Sequence, residues 1–343
     1  MPEPTRRCRE VADAAPAPPA PFGLQPEHDH PELQHWRAAV GAPVALDLAP
    51  PAPAELAGLD VLSWNVAVGA GRLAELLDRL QRERGVGVRP ERPLVLLLQE
   101  AYRADESVPA APVGSFHGGL LHRRHRPWSV VELAERRGLS LRYAPSMRNG
   151  PEASDRGNAV LASVALGSSH AFSLPYVRQH RVAVSATLAG HPELAFVSAH
   201  LDTGGHARAE RWRPRLGAGR AYQAAALARR LLHAEGAGAV VLGADLNALL
   251  SHHDPALRSL LAAGFEPARP LRPWSHTFHA SVRLLLDFVL WHGRARIEAL
   301  SAERLDERPD DRSRRVFGSD HHPLLAHLRL RHAAAPSPPP PVP

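Results

Sequence analysis

Short apolar runs of strand length recur along most of this 343-residue chain, each bounded by polar residues, glycine or proline. Runs of this kind that are rich in β-branched side chains are typical of buried strands. Some of these runs are separated only by a turn, and this spacing is typical of consecutive strands in a mixed sheet. The runs lie at residues 60–65, 94–99, 158–163, 182–188, 194–199, 240–243, 285–291 and 323–330.

Helical periodicity separates some of these runs, at residues 72–84, 130–137 and 218–234. Strands in consecutive pairs with occasional helices favour two mixed β-sheets packed face to face with helices outside, rather than one alternating parallel sheet. The ends differ from this pattern. Residues 1–55 are predicted to be a flexible Pro/Ala-rich tail with one short helix near residues 32–40, residues 56–332 a single folded domain, and residues 333–343 a Pro-rich tail.

The formal net charge is +6, which by itself favours a polyanionic partner. All 41 basic residues are arginine, however, and this indicates a compositional bias over the whole chain rather than one phosphate-binding patch. The absence of lysine also excludes Schiff-base chemistry and a P-loop lysine.

Cys8 is the lone cysteine, which excludes an intramolecular disulfide and a cysteine-rich metal site. No run approaches the ~20 apolar residues of a membrane span, and the start lacks the apolar run of a signal peptide. We therefore expect a cytoplasmic monomer, with export left open should the natural chain begin upstream of Met1.

Polar side chains fall at the ends of the predicted strands, where rigid backbone meets solvent. Five of them close strands and two precede the last strand: Asn65, Glu100, His200, Asp245 and Asn247, then Asp320 and His321. Oxygen-rich side chains suit a hard cation such as Mg²⁺ or Mn²⁺, whereas the lack of cysteine and of paired histidines on a helix argues against zinc. His321 and His322 are adjacent, so in extended backbone only one of them can face the same site.

Seven short motifs lie at the boundaries of the predicted strands. They are Ser63-Trp64-Asn65-Val66, Leu98-Gln99-Glu100, Gly157-Asn158-Ala159-Val160-Leu161, His200-Leu201-Asp202, Gly243-Ala244-Asp245-Leu246-Asn247, Leu286-Asp287-Phe288-Val289 and Gly318-Ser319-Asp320-His321-His322-Pro323. This ordered set, which covers residues 60–330, resembles that of the endonuclease/exonuclease/phosphatase superfamily, whose members are DNase I-like metal-dependent phosphoesterases.

The resemblance implies a four-layer αββα sandwich with the active site at one edge of the two sheets. It assigns Asn65, Glu100 and Asp320 to a Mg²⁺ or Mn²⁺ site. It also implies that Asp245 activates the attacking water, that Asn247 holds the water or the phosphate, and that His321 contacts the phosphate with Asp287 orienting it. His200 resembles a second phosphate-binding histidine of the DNase-like, sphingomyelinase-like and deadenylase-like branches.

Three further residues are expected to bind substrate. Thr277 resembles a threonine that the family places beside the site, and Arg211 and Arg213 lie where substrate-selecting loops occur. The expected reaction is hydrolysis of a phosphodiester in nucleic acid. A lipid head group or a small phosphorylated metabolite stays open as the substrate, and so does a catalytically silent binding module on the same fold.

Overall fold

A computed structural model of the chain describes residues 22–25, 31–87, 89–110, 127–203, 217–234, 238–280, 282–293, 296–307 and 315–331. Within these ranges, no helix has both the length and the apolar character needed to cross a bilayer. The predicted substrate-binding residues Arg211 and Arg213 lie outside the described residues.

Two large mixed β-sheets form the centre of the molecule. The first contains, in spatial order, β1 (Leu24–Gln25), β7 (Leu166–Ser173), β8 (Val182–Leu188), β9 (His191–His200), β10 (Ala239–Asp245), β15 (Asp287–His292) and β11 (Glu266–Pro267). The second contains β12 (Arg269–Pro270), β16 (Ile297–Arg304), β17 (Leu324–Leu330), β3 (Leu59–Asn65), β4 (Leu94–Arg103), β6 (Asp155–Ala162), β5 (Ser140–Arg148) and β2 (Val44–Leu46). A separate hairpin joins β13 (Phe278–His279) and β14 (Arg283–Leu284).

The helices are α1 (Pro31–Ala39), α2 (Leu73–Arg84), α3 (Val130–Arg137), α4 (Ala218–Ala234) and α5 (Pro255–Ala262), with a 3₁₀ turn at Ser251–His253. Leucines at helical spacing give α2 one buried face, and Gly85 ends it in the left-handed conformation at φ 65°. Asp254 caps α5 by accepting a hydrogen bond from the Ala256 backbone N–H.

Three apolar cores separate the four layers. The central core lies between the sheets and includes Val61, Val184 and Val241. A second core packs α2 and α3 against one sheet, and a third packs α4 and α5 against the other. The expected αββα sandwich is therefore confirmed. β3 and β10 are buried along their whole length because the central core covers one face of each strand and a helix-packed core covers the other. Burial on both faces accounts for their continuous apolar runs.

Residues 22–25 and 31–46 form an N-terminal segment that differs from the flexible tail expected for residues 1–55. β1 pairs with β7, and β2 pairs with β5, so each large sheet gains an edge strand from this segment. α1 forms where a short helix was expected. These two edge strands are only two and three residues long, so they have little apolar pattern of their own.

Candidate active site

Strand register brings three polar residues side by side at one edge of the first sheet. Asp245 ends β10, and its direct neighbours across the sheet are His200 at the end of parallel β9 and Asp287 at the start of antiparallel β15. All three side chains are buried. Rigid paired strands therefore fix the spacing of two carboxylates and one imidazole.

The Asp245 carboxylate is held from several sides. Asn65 Nδ2 donates to Asp245 Oδ2 at 2.9 Å, which links the ends of β3 and β10 across the two sheets. The backbone N–H of Asn247 donates to Asp245 Oδ1 at 2.9 Å. His200 Nε2 lies 3.3 Å from Asp245 Oδ2, and His321 Nε2 lies 3.8 Å from the same oxygen. Asp245, the predicted base, thus lies next to a predicted metal ligand and next to the residues predicted to bind the phosphate.

Burial and the nearby charge of Asp287 raise the pKa of Asp245 to about 7, although His321 and the hydrogen bonds from Asn65 and Asn247 oppose the shift. A carboxylate with a pKa near neutrality can take a proton from water and release it again. The environment therefore gives Asp245 the property that a general base needs.

His321 and Asp287 form a buried pair, with His321 Nδ1 2.8 Å from Asp287 Oδ2. Burial opposes a charge on the imidazole, but the carboxylates of Asp287 and Asp245 outweigh it and raise the pKa of His321 to about 10. His321 is consequently a cation at neutral pH, with Nε2 directed toward Asp245.

His200 has the opposite character. Burial and the positive charges of Arg181 and His321 hold its pKa well below the usual range, so the ring is neutral. Asn247 Nδ2 lies 3.0 Å from His200 Nε2 and donates to the Leu201 carbonyl at 3.0 Å. Asn247 therefore fixes the His200 ring while its own backbone holds Asp245. Its positive φ of 48° lies in the left-handed region, which asparagine adopts more readily than most residues.

Backbone contacts bring together the segments that carry the residues predicted to hold the metal. Asn65 pairs with Gln99 in the β3–β4 register, which places it next to Glu100. Ser319 Oγ donates to the Asn65 carbonyl at 2.7 Å and so anchors the segment that carries Asp320. Glu100 adopts an unusual positive φ of 51°. Among the described residues, neither the Glu100 nor the Asp320 carboxylate has a hydrogen-bond or ion-pair partner, so both fit an oxygen-liganded divalent cation.

The structure places the Thr277 hydroxyl on the backbone at the start of β15. The Thr277 side chain is fully buried, and Oγ1 accepts hydrogen bonds from the backbone N–H groups of Leu286 and Asp287, both at 3.0 Å. A hydroxyl enclosed in this way supports the start of β15, and the substrate contact expected of Thr277 stays a prediction.

The model of the Endonuclease/Exonuclease/phosphatase family matches residues 62–321. The chain belongs to this family. It carries the family's ordered motifs on the strand ends described above. A search of the curated proteins gave no match.

Solved structures share the fold at low sequence identity. The catalytic domain of human nocturnin, determined with a bound sulfate anion, is 17% identical with a TM-score of 0.53, covering 84% of this chain and 98% of that one. A family protein from Leptotrichia buccalis C-1013-b is 13% identical with a TM-score of 0.52, covering 80% and 100%. Another from Beutenbergia cavernae DSM 12333 is 16% identical with a TM-score of 0.52, covering 80% and 72%.

Endonuclease/exonuclease/phosphatase proteins are hydrolases of phosphate esters and depend on divalent metal, and metal-dependent phosphoester hydrolysis is therefore the general activity of this chain. Among the described residues, Asp245, Asp287 and His321 also offer three ligand atoms that all lie within 4.8 Å of one another.

Two buried arginines near the site were not predicted. Arg181 is fully buried, and its Nε and Nη1 atoms lack hydrogen-bond partners within the described part of the chain. Burial lowers its pKa, whereas the charges of Asp202 and Glu100 oppose that shift. Arg156 is also buried and adds positive charge near His200. In a sequence with so many arginines, no local signal distinguishes these two.

Proposed function

We propose that this protein hydrolyses phosphodiester bonds in nucleic acid with water activated at Asp245. The observation that carries the proposal is the position of the Asp245 carboxylate, whose Oδ2 lies 3.3 Å from His200 Nε2 and 3.8 Å from His321 Nε2. The lowered pKa of His200 and the raised pKa of His321 make the first ring neutral and the second cationic. A base beside one charged and one uncharged imidazole can take a proton while a neighbouring group stabilises or donates to an oxygen of the phosphate.

The metal would be Mg²⁺ or Mn²⁺, held by Asn65, Glu100 and Asp320. Their oxygen donors match the preference of these ions, and the two carboxylates are free of partners among the described residues. When bound, such a cation supplies charge stabilisation to the phosphate oxygens as they become more negative in the transition state.

The protein groups would divide the remaining work. Asp245 accepts the proton of the attacking water, and Asn247 holds Asp245 and His200 in place. His321 would donate from Nε2 to a phosphate oxygen, and Asp287 keeps it charged and oriented through Nδ1. A cationic donor that binds the transition state more strongly than the ground state lowers the barrier.

Nucleic acid is favoured over the other substrate classes by the positive charge that the Arg181 and Arg156 side chains add on the His200 side of the site. A lipid head group or small phosphorylated metabolite is the alternative, and the experiment below separates these classes.

The purified full chain would be incubated with Mg²⁺ or Mn²⁺ and, in parallel, with single-stranded RNA, plasmid DNA, bis-p-nitrophenyl phosphate, p-nitrophenyl phosphate and sphingomyelin vesicles. Cleavage of nucleic acid, abolished by EDTA and by Asp245→Asn, is the expected result. Turnover of vesicles or monoester without nucleic acid cleavage would reject the substrate class. Undiminished turnover in excess EDTA would reject the metal mechanism.

A further inference from the structure

Three histidines form a second cluster behind the segment that carries Asp320 and His321. One ring nitrogen from each of His276, His279 and His322 lies within 4.8 Å of the corresponding atoms of the other two. The His276 and His322 ring centroids are 5.3 Å apart, and those of His279 and His322 are 5.4 Å apart. The function proposed above uses none of these three side chains.

Backbone pairing holds the cluster together. Phe278 and His321 form an isolated antiparallel bridge. The His279 N–H donates to the Asp320 carbonyl and the His322 N–H donates to the Thr277 carbonyl, each at 2.7 Å. His321 contacts the Phe278 ring, whereas His322 contacts the other two histidines, as expected because successive residues of extended backbone face opposite sides.

His322 has the surroundings of a metal ligand. It is only 3% exposed, and its Nδ1 lies 2.8 Å from Asp306 Oδ1. Nε2 is buried without a hydrogen-bond partner among the described residues. A carboxylate that accepts from one ring nitrogen fixes the tautomer and leaves the lone pair on the other, which is the usual arrangement around metal-bound histidine. Leaving that buried lone pair unsatisfied costs free energy that a bound cation would offset.

One positive and one negative side chain, Arg304 and Asp306, lie beside the cluster. Arg304 Nη1 lies 3.2 Å from His276 Nε2 and donates to the His276 carbonyl at 3.1 Å. Its Nη2 donates to Asp306 Oδ2 at 3.0 Å, so the Asp306 carboxylate offsets the guanidinium. Arg304 and Asp306 also line a cleft of about 370 Å³ beside α2.

We propose that His276, His279 and His322 form a zinc-type metal site that is separate from the oxygen-rich catalytic site. Imidazole donors suit Zn²⁺ and the neighbouring late first-row ions, whereas Mg²⁺ prefers oxygen. Three imidazoles leave one position of a tetrahedral ion for water. A cation there ties the β13–β14 hairpin to His322, directly after the residues proposed to contact metal and phosphate.

The test uses the full chain stripped with EDTA and returned to excess Mg²⁺, which supplies the oxygen-rich site. Zn²⁺ binding is then measured by titration calorimetry, and ligand geometry by the visible absorption of added Co²⁺. The variants are His279→Ala, Asp306→Asn and, as a matched control, His233→Ala. His233 lies exposed on α4, where its Nδ1 bonds to the Arg229 carbonyl.

We expect about one equivalent of Zn²⁺ per wild-type chain and a four-coordinate Co²⁺ spectrum. His279→Ala should lose both, Asp306→Asn should bind ~10–100-fold more weakly, and His233→Ala should match the wild type. Equal melting temperatures in EDTA would establish that the variants fold. Equal Zn²⁺ affinity in wild type and His279→Ala overturns the proposal. A further variant, Glu100→Gln, tests the oxygen-rich site: loss of Zn²⁺ binding in Glu100→Gln together with full binding in His279→Ala also overturns the proposal.

Discussion

Asp287 and His321 lie 34 positions apart in the sequence, yet a 2.8 Å hydrogen bond joins their side chains in the buried site. β15 supplies the carboxylate, and the segment before β17 supplies the imidazole. The bond depends on two elements that neighbour each other only in the folded molecule. Its consequence is a histidine that stays charged despite burial, because the hydrogen bond to Asp287 and the charges of Asp287 and Asp245 together outweigh the cost of desolvation.

Asp287→Asn should lower the pKa of His321, because it removes the negative charge while keeping the shape. The raised pKa means that the charged imidazole stabilises the fold fully below pH ~6.5 and that this contribution is lost as pH rises through about 10. The variant should move that loss to lower pH. Histidine NMR titration of the metal-free protein measures the pKa, and the basic limb of the pH–rate profile should shift with it.

The same pair can be tested for coupling. His321→Ala should reduce turnover at least as much as Asp287→Asn, and the double variant should be little worse than the worse single variant, because the two side chains act as one unit. Strictly additive losses would mean that the bond has no catalytic role and that Asp287 only supports the strand.

Asp245→Asn should abolish turnover and yet stabilise the metal-free protein at pH 8. The pKa of Asp245 is raised, so its charged form destabilises the fold, and this cost grows as pH rises from about 4 to about 7. Asparagine resembles the neutral acid. The gain at pH 8 should be on the order of 1–3 kcal/mol, disappearing at pH 4. Chemical denaturation in EDTA measures it, and a lower stability of the variant at pH 8 would contradict the role of burial.

Much of the site could be predicted because its residues sit at the ends of strands with clear apolar patterns. β8 and α3 occur at the predicted bounds, Val182–Leu188 and Val130–Arg137. A strand end locates a side chain at a sheet edge, and the order of the motifs then indicates which edges meet. Nothing local in the sequence indicates that Asn65 reaches across to Asp245, because that contact depends on how the two sheets stack.

Two other strands, β16 and β5, were not predicted from the sequence, and the structure gives the reason for each. β16 reads Ile-Glu-Ala-Leu-Ser-Ala-Glu-Arg, a composition that favours helix, and pairing with β17 along its length overrides that preference. β5 contains Pro145, which sits where the β5–β6 register shifts, so the proline is tolerated at an irregular position. Tertiary pairing decides both cases.

Thr277→Val should weaken the site by loosening the backbone at the start of β15. Valine keeps the size of the side chain but removes the acceptor for the backbone N–H groups of Leu286 and Asp287. Each buried donor left unpaired costs about 1–3 kcal/mol, so the free energy of unfolding should fall. Asp287 should also lose its fixed position, and the pH–rate profile should change as it does in Asp287→Asn. Thr277→Ser retains the hydroxyl and should restore both properties, whereas a serine variant as impaired as the valine variant would assign the effect to packing.

Deleting residues 1–46 should destabilise the domain, because this segment covers buried charge. The backbone N–H of Gly41 donates to Asp155 Oδ2 at 2.9 Å, and Arg103 Nη1 donates to the Ala42 carbonyl at 2.6 Å. Trp36 stacks on His180 with ring centroids 3.7 Å apart. Removing these partners exposes the Arg103–Asp155 pair and the edge of β5, so the melting temperature should drop by several degrees, with ~1–3 kcal/mol for each buried polar group left unsatisfied. Deleting residues 333–343 is the matched control, since their sequence predicts no part in a core. Equal melting temperatures for the two deletions would mean that the N-terminal segment adds nothing to the stability of the sandwich.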